Sequence, residues 1–214
     1  MDRRFKDRIE AGRLLGEALK RYAGRGDVIV LGLPCGGVPV AAEAARILGA
    51  PVDVCLVRKL GTPGHEELAM GAIASGGVRV LNEDVIRSLG ISGRAIEAEA
   101  AREGAELDRR ERLYRQGRPP LEVRGRTVIL VDDGIATGAT MLAAIRALRQ
   151  MQAISIVVAV PVAPPSTLAE LEREVDRTVC LLPEESLVAV GYWYEDFRQT
   201  TDREVQACLG SVPK

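Results

Sequence analysis

The chain lacks most of the features that would classify it quickly. Its four cysteines, Cys35, Cys55, Cys180 and Cys208, never stand in C-x-x-C spacing, which leaves zinc and dithiol motifs unsupported. Cys55 and Cys180 fall in apolar strand-like runs and read as small core hydrophobes. No apolar run is long enough to span a membrane. The start, Met1-Asp2-Arg3-Arg4-Phe5-Lys6, has no apolar secretory core, so a cytoplasmic protein is expected. The formal net charge is −1, so no global basic field points to nucleic acid. Lysine occurs only at Lys6, Lys20, Lys59 and Lys214, and arginine carries the remaining positive charge. There is no G-x-x-x-x-G-K-[ST] run, which excludes a Walker A loop. Repeats and low-complexity segments are absent.

What is present is 214 residues with 47% hydrophobic content, enough for one domain with a sizeable core. Apolar residues from Phe5 to Tyr22 recur at helical spacing, and Gly24 and Gly26 end that helix. Asp27 to Leu33 and Val52 to Val57 read as buried strands around a small-residue helix, Val38 to Leu48, closed by Gly49. Strand, helix and strand with short links imply a right-handed parallel crossover. Leu60 to Gly77 is rich in glycine and polar residues and reads as a long loop, with at most a weak hairpin. Val78 to Leu81 is a short strand candidate, and Asn82 caps a helix with Glu83 and Asp84 in its first turn. Ser92 to Gly117 is a long helix whose pairs Glu106/Arg110, Asp108/Arg112 and Glu111/Arg115 are spaced i, i+4 with the acid first. It reads as a solvated face, with the Arg109 to Arg118 end as the one surface suited to an anionic partner. Pro119-Pro120 stops it. Further strands are Val128 to Val131, Ile154 to Val160 and Arg177 to Leu182, with helices after the first two and another at Asp202 to Leu209.

The most informative stretch is Val128-Ile129-Leu130-Val131-Asp132-Asp133-Gly134-Ile135-Ala136-Thr137-Gly138-Ala139-Thr140. A buried strand delivers two carboxylates to its C-terminal edge, where open α/β sheets bind ligands. The small and hydroxyl residues that follow lead into a helix, whose first N–H groups suit a phosphate. A structural reading is also available: paired Asp as a turn or cap, and Thr137 as an N-cap.

This segment resembles the phosphoribosyl-diphosphate signature of the type I phosphoribosyltransferases. The resemblance covers about residues 27–182 and the tail. It implies a doubly wound parallel α/β sheet of about five strands, with a small hood from residues 183–214 and a helical insert at about 82–120. Asp132 and Asp133 would bind the ribose hydroxyls and hold Mg²⁺. Ile135, Ala136, Thr137, Gly138, Ala139 and Thr140 would seat the 5′-phosphate. The loop Pro34-Cys35-Gly36-Gly37 resembles the family's pyrophosphate loop, often strained around a cis peptide, for which Pro34–Cys35 is the aligned candidate and Leu33–Pro34 the chemically cheaper one. A basic residue commonly stands where this chain has Cys35.

Arg58 and Lys59 are similar to a segment of adenine phosphoribosyltransferases that faces the diphosphate and opens onto a mobile lid, here residues 60–77. His65, Glu66 and Glu67 are the general-base candidates in that stretch. Val190 to Arg198 resembles the C-terminal segment of hypoxanthine-guanine enzymes, so Tyr192, Trp193 and Tyr194 would stack on a heterocycle and Arg198 would bind diphosphate. Those enzymes carry an acid where this chain has Ala136, and a lysine where it has Val160-Pro161-Val162-Ala163, which disfavours a 6-oxopurine.

The expected activity is Mg-dependent phosphoribosyl transfer to a nucleobase-like acceptor in nucleotide salvage or synthesis, by a homodimer without nucleic-acid or membrane partners. The alternatives are a non-catalytic regulator that senses phosphoribosyl diphosphate or nucleotides, and a ribose-phosphate phosphohydrolase.

Overall fold

A computed structural model describes residues 4–115 and 118–210, apart from the side chains of Glu66 and Glu67. In chain order the elements are α1 (Arg8–Ala18), β1 (Val28–Gly32), α2 (Gly37–Leu48), β2 (Val52–Val54), β3 (Val57–Thr62), β4 (His65–Ala74), β5 (Val78–Leu81), α3 (Glu83–Leu89), α4 (Gly93–Arg115), β6 (Thr127–Val131), α5 (Ala139–Gln150), β7 (Ser155–Ala163), α6 (Pro165–Leu171), β8 (Arg177–Pro183) and α7 (Asp202–Gly210). The final two residues of the helix expected at 92–117 and the last four of the chain lie outside the described residues.

The central sheet has five parallel strands in the order β2-β1-β6-β7-β8. Its middle strands are nearly continuous runs of Val, Ile and Leu because both faces are covered. One face of β1 and β6, with Ile29, Leu31, Val128 and Leu130, packs on Met141, Ile145 and Leu148 of α5. The other, with Val28, Val30, Ile129 and Val131, packs on Leu15 of α1 and Val40, Ala41 and Ala45 of α2. The doubly wound α/β expectation is thereby met. Strand order reverses between β1 and β6, so the crevice for a ligand lies beyond the C-terminal ends of those two strands.

Four sequence expectations change. Phe5 is not part of the first helix. Asp7 caps α1 by accepting from the Glu10 N–H at 2.8 Å, and Phe5 pairs instead with Tyr194 in the tail.

The run Val52 to Val57 is two strands, because the chain leaves the parallel sheet at Cys55-Leu56 and starts a second one. That second sheet is antiparallel, β3-β4-β5, and it replaces the long loop expected at 60–77. Its glycines punctuate strands. Pro63-Gly64 is a two-residue turn between the paired residues Thr62 and His65, with Gly64 at φ +77°, as a type II turn requires. Gly61 marks a register shift in β3. A side chain at Gly71 would meet the Val80 carbonyl on the neighbouring strand. Leu60 and Met70 are fully buried.

The helix α4 is not solvated all round. Ile96, Ala100, Glu103, Leu107 and Tyr114 form a buried stripe that packs on the second sheet and α7. Of the three expected i, i+4 pairs, Glu106–Arg110 forms at 2.8 Å, whereas Arg115 turns inward to Asp53 at 3.1 Å. No helix among the described residues is long and apolar enough to cross a membrane.

Asp53 is the buried acceptor for Arg115 and also takes the Val54 N–H at 2.8 Å. Removing one partner of a buried pair strands the other charge. Asp53→Ala should therefore lower stability by about 3 kcal/mol or more in urea unfolding at neutral pH. A loss below about 1 kcal/mol would show that Arg115 finds water at no cost.

Candidate active site at the sheet switch point

Asp132 and Asp133 follow β6 directly, and the loop from Leu33 to Gly36 follows its neighbour β1, so pairing of Gly32 with Val131 brings the two connections together. The approach is close enough to exclude side chains at two positions. A Cβ on Gly36 would lie 1.9 Å from Asp133 Oδ2, and one on Gly37 would lie 2.8 Å from Asp132 Cα. The glycines at 36 and 37 are thus demanded by the two acids. The Pro34–Cys35 peptide is cis, at the position the family resemblance indicates.

The two acids are held differently. Asp132 Oδ1 accepts the Asp133 backbone N–H at 2.8 Å. Asp133 Oδ2 receives both Nε and Nη2 of Arg8 at 2.8 Å, and the Tyr194 hydroxyl donates to the Asp133 carbonyl at 2.5 Å. Burial pushes the Asp132 carboxyl well above the usual carboxylate range, and the neighbouring Asp133 charge adds to that. Burial also raises Asp133, while the Arg8 guanidinium pulls it back.

Arg8 is the residue that sequence reading missed. It starts α1, lies over the Phe197 ring at 4.0 Å and donates to the Arg198 carbonyl at 2.8 Å. No local pattern marks an arginine whose partner lies 125 positions away.

The phosphate-loop candidates divide by exposure. Ile135 is buried in the core and gives its N–H to the Val162 carbonyl at 2.9 Å, so its side chain is structural. Ala136, Thr137, Ala139 and Thr140 are not buried in this way. Gly138, not Thr137, occupies the N-cap of α5, and no side chain caps that end. The first N–H groups of a twelve-residue helix therefore face the crevice without a side-chain acceptor. Thr167 anchors the loop by donating to the Ala136 carbonyl at 2.8 Å.

Arg58 and Lys59 lie on β3 and line a cavity of about 500 Å³ that Pro34 and Thr140 also border. Arg58 pairs with Glu103 of α4 at 2.6 Å. His65 is exposed at the hairpin turn and lines a different cavity, beside Leu89 to Ser92. The structure thus does not bring it to the two acids. The side chains of Glu66 and Glu67 lie outside the described residues.

The tail departs from its expected role. Trp193 and Tyr194 are buried beside Phe5 and Val162, which makes them core and leaves Tyr192, half exposed, as the one aromatic of the three free to stack. Arg4 already lies over its ring at 4.1 Å. Arg198 is 75% exposed and pairs with Asp196 and Glu204 at the surface, not with the crevice acids. The arginine-rich stretch 109–118 is partly turned inward. Arg115 reaches Asp53, and Arg118 donates to the carbonyls of Val52 and Leu209.

A family model described as a phosphoribosyl transferase domain matches residues 6–195. Two proteins of Mycobacterium tuberculosis, "Putative phosphoribosyl transferase Rv0571c" of strain H37Rv and "Putative phosphoribosyl transferase MT0597" of strain CDC 1551, are similar to it. Each is 47% identical over 205 residues, which is 96% of this chain and 46% of the relative. The chain thus spans about half the length of these curated relatives. The crystal structure of TT1426 from Thermus thermophilus superposes with a TM-score of 0.89 at 44% identity, covering 99% of this chain and all of that one.

The raised Asp132 carboxyl has a consequence for stability. The folded chain keeps a proton there at pH values where the unfolded chain has lost it. That contribution is full below the ordinary carboxylate range and is lost as pH rises through the raised value. With a chelator present, Asp132→Asn should melt above the parent chain at pH 7, and the gap should close toward pH 4. A gap independent of pH would show that the fold does not resist ionisation of Asp132.

Proposed function

The chain belongs to the phosphoribosyl transferase family, and from that membership we propose that it transfers a phosphoribosyl group from phosphoribosyl diphosphate to a nitrogenous, nucleobase-like acceptor. The observation that carries the reading is one juxtaposition: two carboxylates at the end of β6, an uncapped α5 N-terminus a short loop later, and a glycine loop packed on the acids.

In this reading the first N–H groups of α5 and the Thr137 and Thr140 hydroxyls hold the 5′-phosphate. Asp132 and Asp133 accept hydrogen bonds from the two ribose hydroxyls, which carboxylates do well as acceptors. Arg58 and Lys59 face the diphosphate. The bond from C1 to the diphosphate oxygen breaks with its electron pair, a bond from C1 to the acceptor nitrogen forms, and that nitrogen sheds its proton. The chain itself positions the sugar, balances the charge of the leaving group and keeps water away.

Paired hard oxygens fit Mg²⁺, which binds through one or two carboxylates, substrate oxygens and water. Among the described residues no group of three or more His, Cys, Asp or Glu side chains is placed to hold a metal, so Asp132 and Asp133 would share it with the substrate. Bound there, Mg²⁺ would supply positive charge for the departing diphosphate.

Diphosphate release from phosphoribosyl diphosphate and Mg²⁺, measured over purines, pyrimidines and simple amines, tests this. Release should require one acceptor, and Asp132→Asn with Asp133→Asn should slow it by at least about a hundredfold without loss of fold. An unchanged rate in that double variant would remove the acids from the site. Ligand binding without release for any acceptor would favour a sensor of phosphoribosyl diphosphate.

A further inference from the structure

The connection after β1 carries no charge from Leu33 to Gly37, yet it borders the cavity of about 500 Å³ that also reaches Thr140. The opposite wall is one face of α4: Glu99, Arg102, Glu103, Leu107 and Arg110, spaced at three and four residues as one helix face requires. Together with Arg58 and Lys59, the lining holds four cations and two carboxylates.

Both carboxylates are answered within that wall. Glu103 meets Arg58 at 2.6 Å and Arg102 at 3.3 Å, and Glu99 meets Arg102 at 2.6 Å. Arg110 is different, since its partner Glu106, at 2.8 Å, lies outside the cavity lining. It engages Glu106 through Nε, which leaves the N–H groups of its two terminal nitrogens for another acceptor.

The position of Arg110 is fixed by docking of the helix on the loop. Tyr114, one turn further along α4, brings its hydroxyl to 3.5 Å from Cys35 Sγ and donates to Asp202 of α7 at 2.5 Å. An i, i+4 neighbour of Tyr114 shares its helix face.

We infer that α4 supplies, through Arg110, the cationic contact to a diphosphate group that the uncharged loop after β1 cannot make. The ligand class is an inorganic or sugar-linked diphosphate with its divalent cation. The assignment rests on the transferase reading for the diphosphate being a leaving group, and not for its being bound.

The test uses the whole chain with inorganic diphosphate and Mg²⁺ in titration calorimetry, with ribose 5-phosphate as a second probe. Arg110→Gln should weaken diphosphate binding at least about tenfold, the scale of one charge-assisted hydrogen bond. Ribose 5-phosphate binding should change less than about twofold, and Arg110→Lys should restore part of the diphosphate affinity. Arg109→Gln is the control, because Arg109 shares Glu106 but does not line the cavity, and its diphosphate affinity should stay near that of the parent. Equal diphosphate binding by Arg110→Gln and the parent would overturn the inference, and so would an equal loss in Arg109→Gln. Ribose 5-phosphate binding without any diphosphate binding would also overturn it, while the phosphate loop stood. Arg110-dependent diphosphate binding without phosphoribosyl transfer would uphold it and sink the transferase reading instead.

Discussion

Two carboxylates on consecutive residues, at the end of a strand buried on both faces, set the terms for the rest of this structure. Unit charges 4 Å apart repel by about 4 kcal/mol at an effective dielectric constant of 20, and burial adds a solvation cost to each. The fold answers unequally. Arg8 neutralises Asp133 with two hydrogen bonds to one oxygen, while Asp132 has only a backbone N–H and so holds its proton more tightly. Neither acid is relieved by water from the side of the β1 connection, because that loop is packed against them with glycine at both contact points.

The arginine that serves Asp133 explains why the segments around Phe5–Arg8 and Tyr194–Arg198 are gathered at the crevice. Arg8 needs α1 to start here, and Phe197 covers its guanidinium from the tail. Tyr194 then holds the Asp133 backbone, and the Phe5–Tyr194 bridge ties the two terminal segments together. Tyr194 is therefore spent on positioning an acid. Aromatic residues near a site are as useful beneath it as in it, since a buried ring fixes a backbone that a ligand must later meet.

The sequence was legible where the determining contacts are local. Val128 to Val131 is apolar on every residue because the strand is covered on both faces, and the acids, the small residues and the helix start follow without interruption. The glycine loop was legible for the same reason. The second sheet was hidden because its glycines signal loop by composition, although Gly61 serves a bulge and Gly71 a close strand contact. The stripe Ile96, Ala100, Leu107 and Tyr114 of α4 was in the sequence at regular spacing, but the dense acid–base pattern around it drew the reading toward solvent. Arg8 and Asp53 were not legible at all, because their partners lie 125 and 62 positions away and a lone charge carries no mark of its partner.

The second sheet and α4 belong to one electrostatic device. β3 leaves the parallel sheet after Leu56 and carries Arg58 against Glu103 of α4, so strand and helix cancel part of each other's charge. Arg110 further along the same helix is paired with Glu106 at 2.8 Å, and Glu99 with Arg102 at 2.6 Å. These carboxylates hold the arginines they pair with in a fixed geometry along the cavity wall. A helix far from the β6 signature in sequence thereby lines a cavity that also reaches Thr140, and much of its charged face is answered by its own neighbours because acids and arginines alternate along it.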